Sequence, residues 1–354
     1  MQHILVTGGC GFVGSSLAIR YKQKYPDVKV SVLDNLKRRG SELNLPRLQR
    51  KNICFYHGDI RNREDIASVG NFDLLVECAA EPSVVAGFDS SPDYVVNTNL
   101  LGTINCLAAS CYNKAAMIFI STSRVYPYDL INCIKLRETN TRFEIIKQQD
   151  CDGISDRGLN ENFPLFGPRS LYGATKLASE LLITEYIHMY GLKAVINRCG
   201  LISGPWQFGK VDQGVVVLWM ARHYWEKKLS YIGFGGTGKQ VRDMIHVDDL
   251  FELIDIQSNN IDKYSGQTYN VGGGRDSSLS LLEMTAMCEA ITGNQIEITP
   301  VPESRPADVA VYLSDCSKVI AQTGWEPRVG PREILFDIYN WISENENDLE
   351  GILR

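Results

Sequence analysis

The sequence predicts an α/β protein with a Rossmann-type, doubly wound parallel sheet and a smaller C-terminal lobe. Three observations support this prediction. Short apolar strands alternate with helical patterns over residues 1–125, a glycine-rich turn follows the first strand, and the elements beyond Gly204 become shorter and mixed. Near-continuous apolar strands separated by helices are typical of a parallel sheet that is covered on both faces.

The predicted elements follow one another in a regular order. The first strand is HILVTG, and a helical pattern covers residues 17–25. The next strands are VKVSVLD, ICFYHGD and FDLLVECAA, and a helix through NLLGTINCLAASCY precedes the strand AAMIFIST. A helix starting near RSLYGATK and the strand LKAVINR complete this part. We expect residues 1–204 to form the Rossmann domain and residues 205–354 mainly the second lobe, with some segments returning to the sheet.

Residues 127–167 interrupt the regular pattern. The stretch is polar, with NTRFEIIKQQDCDGISDRGLNENFP at its centre, and it shows neither helical nor strand periodicity. A structureless loop of this length is uncommon inside a compact domain and is usually functional. We therefore predict a long loop that closes over a substrate.

The composition is that of an ordinary globular protein, and it excludes several classes of function. The 36 Lys and Arg residues against 42 Asp and Glu residues give a net charge of -6 without a basic stripe, so nucleic acid is not an expected partner. The sequence shows no signal peptide and no uncharged apolar run that could span a bilayer. The cysteines form no C-x-x-C pair and the histidines show no metal spacing. We expect a cytoplasmic protein with reduced, buried thiols and without a metal or a membrane partner.

The turn VTGGCGFVGSSLA places Gly8, Gly11 and Gly14 directly after the first strand and at the start of a helix. Glycine there allows a tight turn and lets the backbone approach a pyrophosphate, which lies against the helix N-terminal amides. Asp34 ends the second strand about twenty residues later, where a carboxylate binds the adenosine ribose hydroxyls and repels a 2′-phosphate. The pattern predicts NAD rather than NADP as the cofactor. A basic run that weakens this preference follows at Lys37, Arg38 and Arg39.

Tyr172 and Lys176 lie four residues apart at the start of a predicted helix, so they share one helix face. A free phenol has a pKa near ~10, too high for an efficient base at neutral pH, and a neighbouring ammonium lowers it. Tyr172 could then accept a proton from a substrate hydroxyl. The strand that ends in ISTSRVY would supply a further hydroxyl, and strand alternation favours Thr122 over Ser121 and Ser123.

The sequence resembles the extended short-chain dehydrogenase/reductase superfamily of nucleotide-sugar epimerases and dehydratases over essentially the whole chain. The matching motifs are TGGCGFVG, HGDIRN, NLLGT, STSRVY, YGATK, GKQVRDMIHVDD and NVGGG. Within this superfamily, GPWQFGKVDQG and GKQVRD are most similar to the CDP-paratose (CDP-tyvelose) 2-epimerases.

The resemblance implies a role for each of several positions. The residues expected to bind NAD are Gly8, Gly11, Phe12, Val13, Gly14, Asp34, Asp59, Ile60, Ala79, Ala80, Asn99, Tyr172 and Lys176. The expected catalytic residues are Thr122, Tyr172 and Lys176, with Lys176 also bonding the nicotinamide ribose. The expected substrate ligands are Thr122, Arg124, Gln207, Arg242 and Arg305. Among them, the Arg242 guanidinium suits the diphosphate of a sugar nucleotide.

Two departures from the family pattern bear on the reaction. Leu201 stands three residues after Arg198, where relatives often carry an asparagine, so the sugar must be held differently from the 4-epimerase pattern. Sugar 4,6-dehydratases place an Asp-Glu pair after the catalytic threonine, but this chain has Ser123 and Arg124. Dehydration is therefore not expected.

The resemblance, together with these residues, implies an NAD-dependent epimerase of a nucleotide-diphospho-sugar, with C2 of a CDP-paratose-like substrate inverted through a transient keto sugar. The alternatives are a 4-epimerase or reductase of another nucleotide sugar, and a non-catalytic NAD-binding regulator, because a fold does not fix a function. The resemblance also implies a homodimer or homotetramer, paired through the long helices after the fourth and fifth strands.

Overall fold

The computed structural model describes residues 1–88, 90–209 and 213–354. Residues 210–212, at the centre of the GPWQFGKVDQG motif, lie outside the described part of the chain. The chain divides into two compact units. The first unit comprises Met1–Val125, Ser170–Arg198 and Leu250–Tyr269, and the second comprises Tyr126–Arg169, Cys199–Asp249 and Asn270–Arg354.

The central sheet has seven strands in the order β3-β2-β1-β4-β5-β10-β14. The strands are β1 (His3–Thr7), β2 (Lys29–Asp34), β3 (Cys54–His57), β4 (Leu74–Glu77), β5 (Ala116–Thr122), β10 (Ala194–Cys199) and β14 (Thr268–Val271). The pairs β1–β2, β2–β3, β1–β4 and β4–β5 are parallel. The order reverses between β1 and β4, which is the switch point of a doubly wound sheet. The predicted fold class is therefore confirmed.

The helices of the first unit flank this sheet. They are α1 (Phe12–Lys24), α2 (Leu45–Arg50), α3 (Arg63–Ala67), α4 (Asp93–Val96), α5 (Gly102–Asn113), α7 (Leu171–Tyr190), α9 (Val247–Asn259) and α10 (Ile261–Tyr264). A π-helical turn, Asn97–Leu101, joins α4 to α5. Ser170 caps the N-terminus of α7, where its hydroxyl accepts the Gly173 amide, and Gly191 caps the C-terminus in the left-handed region, with φ 68°.

The second unit is made of shorter elements. Its strands are β6 (Leu136–Glu138), β7 (Phe143–Ile145), β8 (Ile154–Ser155), β9 (Gly158–Leu159), β11 (Leu201–Ser203), β12 (Leu229–Ile232), β13 (Val241–His246), β15 (Ser278–Ser280), β16 (Ile298–Val301) and β17 (Val311–Tyr312). Its helices are α6 (Tyr128–Asn132), α8 (Val215–Tyr224), α11 (Leu281–Thr292), α12 (Ser317–Thr323), α13 (Pro331–Glu344) and α14 (Glu346–Leu353). Strand β13 pairs with β11, β15 and β17 in one small sheet.

The prediction of a structureless loop over residues 127–167 was wrong. The segment contains α6 and two antiparallel hairpins, β6–β7 and β8–β9. Backbone bonds also join it to the C-terminal part of the same unit, where the Leu159 amide donates to Leu313 O at 2.8 Å and the Asp315 amide donates to Leu159 O at 2.8 Å. Strands of two or three residues are too short to show an alternation of side chains, so only these long-range bonds reveal them.

The ten cysteines, all of which lie in the described ranges, form no disulfide bond with one another. Only half of them are fully buried, and Cys54, Cys133 and Cys151 are exposed, so the expectation of buried thiols was too general. No helix in the described parts of the chain has the length and apolar character needed to cross a membrane. Within the same residues, no group of three or more His, Cys, Asp or Glu side chains is arranged to hold a metal ion.

Candidate active site

The glycine-rich turn lies at the switch point of the central sheet. Gly8 follows β1 with φ +65°, a conformation that favours glycine. A Cβ atom added to Gly8 would lie 2.7 Å from the Cα atom of Ala79, which follows β4. The chain segments after β1 and β4 therefore meet where such sheets bind ligands, at the carboxyl ends of the strands.

The other two glycines bring the backbone of the turn against the start of α1. The Gly11 amide donates to Gly8 O at 3.0 Å. A Cβ atom on Gly14 would lie 2.2 Å from the same Gly8 oxygen, so no larger residue fits. The result is a tight cradle that leads into a helix N-terminus, where amides and the helix dipole favour an anion. Phe12 and Val13 form the first turn of that helix.

Asp34, at the end of β2, is fixed beside this cradle. Its carboxylate accepts the backbone amides of Cys10 at 2.9 Å and Leu36 at 2.8 Å. Burial raises the pKa of Asp34, and these amide bonds oppose the rise. The structure thus brings the predicted ribose ligand to the predicted pyrophosphate loop.

Asp59 and Ile60 follow β3. Asp59 accepts hydrogen bonds from Asn35 at 2.9 Å and from Arg61, whose Nε and Nη2 atoms lie 2.9 and 2.7 Å from its oxygens. Burial alone would raise the pKa of Asp59, but the bonds from Arg61 and Asn35 lower it to about 2. The Ile60 side chain packs against α5, because a Cβ atom on Gly102 would lie 2.4 Å from its Cδ1 atom. Because its side chain is packed against α5, Ile60 can contribute only its backbone groups to the predicted cofactor site.

Asn99 lies in the π-helical turn before α5 and is buried. Its amide nitrogen donates to Glu81 O at 3.1 Å and to Thr175 Oγ1 at 3.2 Å, and its side-chain oxygen accepts the Glu81 amide at 2.8 Å. Asn99 therefore ties the segment that carries Ala79 and Ala80 to helix α7. Widened turns of this kind are frequent at functional sites.

Tyr172 and Lys176 lie on the first turns of α7, as predicted. Lys176 is not a solvated surface cation, because only 2% of its surface is exposed. Its ammonium lies 3.7 Å from the centroid of the Phe119 ring on β5. A lysine that is held inside the protein one helical turn from a partly buried tyrosine has the arrangement that favours a phenolate.

The three candidate hydroxyls lie in different places at the tip of β5, and Ser123 follows the strand in a 3₁₀ turn. Ser121 donates to Glu180 Oε1 at 2.5 Å, inside a buried ion pair in which Arg198 Nη2 lies 2.7 Å from Glu180 Oε2. The Ser121 hydroxyl is therefore part of the buried network of Glu180 and Arg198. Thr122 points to the other face of the strand, as alternation requires, and its hydroxyl accepts the Arg124 amide at 3.2 Å.

The remaining candidates belong to the second unit. Arg242 on β13 donates from Nη2 to Asp308 at 2.9 Å and to Val309 O at 2.6 Å, so its guanidinium has a fixed position. Gln207 donates to Ile202 O at 3.0 Å. Two non-glycine residues with positive φ lie near the predicted ligands, Trp206 at 70° directly before Gln207 and Ala307 at 58° two residues after Arg305. Such backbone strain often marks functional loops.

The sequence reasoning missed one group in the first unit. Glu77, the last residue of β4, has no exposed surface, and Thr103 on α5 donates to it at 2.5 Å. Burial raises the pKa of Glu77 to about 7, against the opposing effects of Lys176 and Thr103. A glutamate inside the apolar run FDLLVECAA was the available signal, because buried carboxylates are rare unless they are paired.

Comparison with known proteins agrees with this geometry. Residues 4–272 match the NAD dependent epimerase/dehydratase family. The chain is 32% identical to CDP-paratose 2-epimerase of Salmonella typhi, over 96% of this chain and 99% of that protein. It is 27% identical to dTDP-glucose 4,6-dehydratase of Streptomyces niveus, over 97% of this chain and 94% of that protein.

Comparison with a crystal structure also indicates an NAD-dependent sugar-nucleotide epimerase fold. UDP-glucose 4-epimerase of Thermus thermophilus, in complex with NAD, superposes with a TM-score of 0.76 at 27% identity, covering 97% of this chain and 99% of that chain. The predicted resemblance and the predicted NAD dependence are thereby confirmed. This chain belongs to the NAD dependent epimerase/dehydratase family.

Proposed function

We propose that this protein is an NAD-dependent epimerase that inverts C2 of a CDP-paratose-like nucleotide sugar. The observation that carries the proposal is the buried Lys176, held one helical turn from Tyr172 in the unit that also contains the glycine cradle. The similarity to CDP-paratose 2-epimerase supports the choice of substrate.

The residues of the first unit fit NAD. The cradle formed by Gly8, Gly11 and Gly14 would hold the pyrophosphate together with the amides of Phe12 and Val13, and Asp34 would hold the adenosine ribose. Asp59 and Ile60 would lie at the adenine, with Ala79, Ala80 and Asn99 along the cofactor. Bound NAD supplies the chemistry of removing hydride from a sugar carbon and returning it.

The protein residues then have defined roles. The Tyr172 phenolate removes the proton of the ring hydroxyl and later returns it, and Lys176 stabilises the phenolate and bonds the nicotinamide ribose. Thr122 donates a hydrogen bond to the reacting oxygen. Rotation of the keto sugar in its pocket between the two steps inverts the carbon.

The chain lacks the groups that dehydration would need at this strand tip. Ser123 and Arg124 follow Thr122, where a dehydratase would need an acid and a base. Arg124, Gln207, Arg242 and Arg305 are proposed to bind the sugar nucleotide. Arg242 is the strongest of these candidates, since Asp308 and Val309 hold its guanidinium in one orientation.

We further propose that the protein is a homodimer paired through α5 and α7. Large apolar side chains on these two helices, and on the π-helical turn just before α5, face solvent: Leu101 of that turn is 42% exposed, Tyr112 85%, Leu181 64%, Met189 67% and Tyr190 62%. Leu101 and Tyr112 are eleven residues apart, about three turns, so they face one direction, and Leu181 and Met189, eight residues apart, fall within one broad apolar stripe. An exposed apolar face of this kind usually marks a protein interface.

The test uses purified protein, CDP-paratose deuterated at C2 and a catalytic amount of NAD. We expect NMR to show the C2 epimer with the deuterium retained, because hydrogen leaves and returns on the same carbon without exchange with water. Stoichiometric NADH would indicate a dehydrogenase instead. Inversion at C4 of another nucleotide sugar would favour the alternative epimerase.

The Tyr172→Phe variant tests the proposed base. We expect turnover to fall at least about 10²- to 10⁴-fold, the usual contribution of a general acid–base group, while NAD content and melting temperature stay unchanged. Retained turnover would remove Tyr172 from the mechanism. Tight NAD binding without conversion of any nucleotide sugar would support the non-catalytic regulator.

A further inference from the structure

We propose that Glu77 is a positioning residue, the buried counter-charge that keeps the ammonium of Lys176 protonated. The proposal rests on the proposed function, in which Lys176 must carry a positive charge beside Tyr172. Glu77 itself does not contact the reacting atoms.

The strand register brings the two groups to one face of the central sheet. Glu77 on β4 is paired with Phe119 on β5 in a parallel ladder, so both side chains point to the same face. The Lys176 ammonium lies 3.7 Å from the centroid of the Phe119 ring, on that face. Helices α5 and α7 cover it, and Glu77 accepts a hydrogen bond from Thr103 of α5.

Both groups are removed from water, since Glu77 is 0% and Lys176 2% exposed. A cation–π contact replaces only part of the hydration that an ammonium loses on burial, so a nearby negative charge is needed to keep it protonated. The interaction is reciprocal: Lys176 lowers the pKa of Glu77, and the same coupling must favour the protonated form of Lys176.

Two residues of α5 beside the pair, Cys106 and Thr103, carry no negative charge. Cys106 of α5 is fully buried, and burial followed by the charge of Glu77 raises the pKa of its thiol well above the usual value, so it stays neutral. The Thr103 hydroxyl, which also lies 2.7 Å from Asn99 O, is uncharged, and Tyr172 is the group whose proton the pair controls. The Oε2 atom of Glu77 has no hydrogen-bond partner among the described residues, and the effect of Lys176 on this carboxyl is Coulombic.

The Glu77→Gln variant tests the proposal directly. Lysine labelled with ¹³C at Cε gives an NMR titration of each ammonium, and loss of one resonance in Lys176→Arg identifies Lys176. We expect the Lys176 midpoint in Glu77→Gln to fall by at least about one unit, the size of effect that a buried charge pair exerts. Glu77→Asp, which keeps the charge, should shift it less. An unchanged midpoint in folded Glu77→Gln would overturn the proposal.

Thr103→Val provides a second variant if Glu77→Gln does not fold. Loss of the hydroxyl destabilises the ionised form of Glu77. The titration midpoint of Lys176 should therefore fall, but by less than in Glu77→Gln. The matched control is Ser110→Ala, which removes another buried hydroxyl of α5 that has no bonded partner among the described residues. A Thr103→Val midpoint equal to that of the control would also overturn the proposal.

The pH dependence of epimerisation separates this proposal from the proposed function. If both hold, the alkaline limb of kcat moves to lower pH in Glu77→Gln together with the Lys176 midpoint, while KM changes little. A shifted midpoint with an unshifted kcat profile would establish the counter-charge and refute the catalytic role of Lys176. A lower melting temperature without either shift would show that Glu77 is only structural.

Discussion

At the scale of single residues, close packing explains why particular motifs contain glycine. Asp243 follows Arg242 in the GKQVRD motif and is fully buried, and its carboxylate accepts the Gly274 amide at 3.1 Å. A Cβ atom on Gly272 would lie 2.1 Å from the same carboxylate. The NVGGG and VRD motifs therefore contact each other inside the second unit. The glycines of NVGGG leave room for the buried carboxylate of Asp243.

This acid should make stability depend on pH. Burial raises the pKa of Asp243 to about 6, against the opposing bonds from Gly274 and Ser314. A carboxyl whose folded pKa is raised stabilises the fold fully below its unfolded pKa, near ~4, and this contribution is lost as the pH rises through about 6. We expect the free energy of unfolding of wild type, relative to Asp243→Asn, to fall by on the order of 1 kcal/mol between about pH 5 and about pH 7.5.

Urea unfolding of both proteins at the two pH values measures this difference. Asp150→Asn is the control, because it changes a carboxylate of the same unit that is 75% exposed. It should show no comparable change. A wild-type minus Asp243→Asn difference that is independent of pH would contradict the assignment of a raised pKa to Asp243.

At the scale of elements, the position of helix α7 decides the geometry of the candidate catalytic pair. The Glu180–Arg198 ion pair joins α7 to β10, and Ser121 of β5 bonds the same carboxylate. The side chains of Glu180 and Arg198 are only 5% and 7% exposed. The helix that carries Tyr172 and Lys176 is thus fixed against two neighbouring strands by one buried network.

The Glu180→Gln variant should be strongly destabilised. It leaves the Arg198 charge buried without a counter-charge, which typically costs about 3–5 kcal/mol in the free energy of unfolding. Glu297→Gln is the matched control, since the Lys228–Glu297 pair is 76% and 62% exposed and such pairs contribute about 0–1 kcal/mol. Urea unfolding compares the two, and equal losses would show that the buried network does not hold α7.

At the scale of the whole molecule, the exposed apolar face of α5 and α7 is where we expect two copies to meet. A charge placed there should oppose burial of the face in a dimer without disturbing a side chain that already faces water. Leu181 and Tyr112 are the most suitable positions, at 64% and 85% exposure.

The double variant Leu181→Asp and Tyr112→Asp should therefore be monomeric, with the 39.6 kDa mass of one chain, whereas wild type sediments at a multiple of it. Phe336→Asp is the control, because this residue of α13 is 50% exposed but belongs to the second unit. Sedimentation velocity at equal concentrations measures the masses, and circular dichroism checks folding. A wild-type monomer, or an oligomer that persists in the double variant, would remove α5 and α7 as the interface.

The sequence by itself determined the order of the strands β1 to β5 and β10, the glycine turn with its acidic partner, and the Tyr172–Lys176 spacing. These features are local: periodicity, turn residues and helix spacing act within a few residues of one another. The resemblance to a nucleotide-sugar family followed from the same short motifs.

Only the tertiary structure decided which side chains share an environment. The hairpins of residues 127–167, the commitment of Ser121 to Glu180 and the approach of Glu77 to Lys176 all depend on contacts between distant parts of the chain. The physical reason is that the charge of a buried group depends on its burial and on its neighbours across the sheet. The spacing of residues along the sequence contains no information about either.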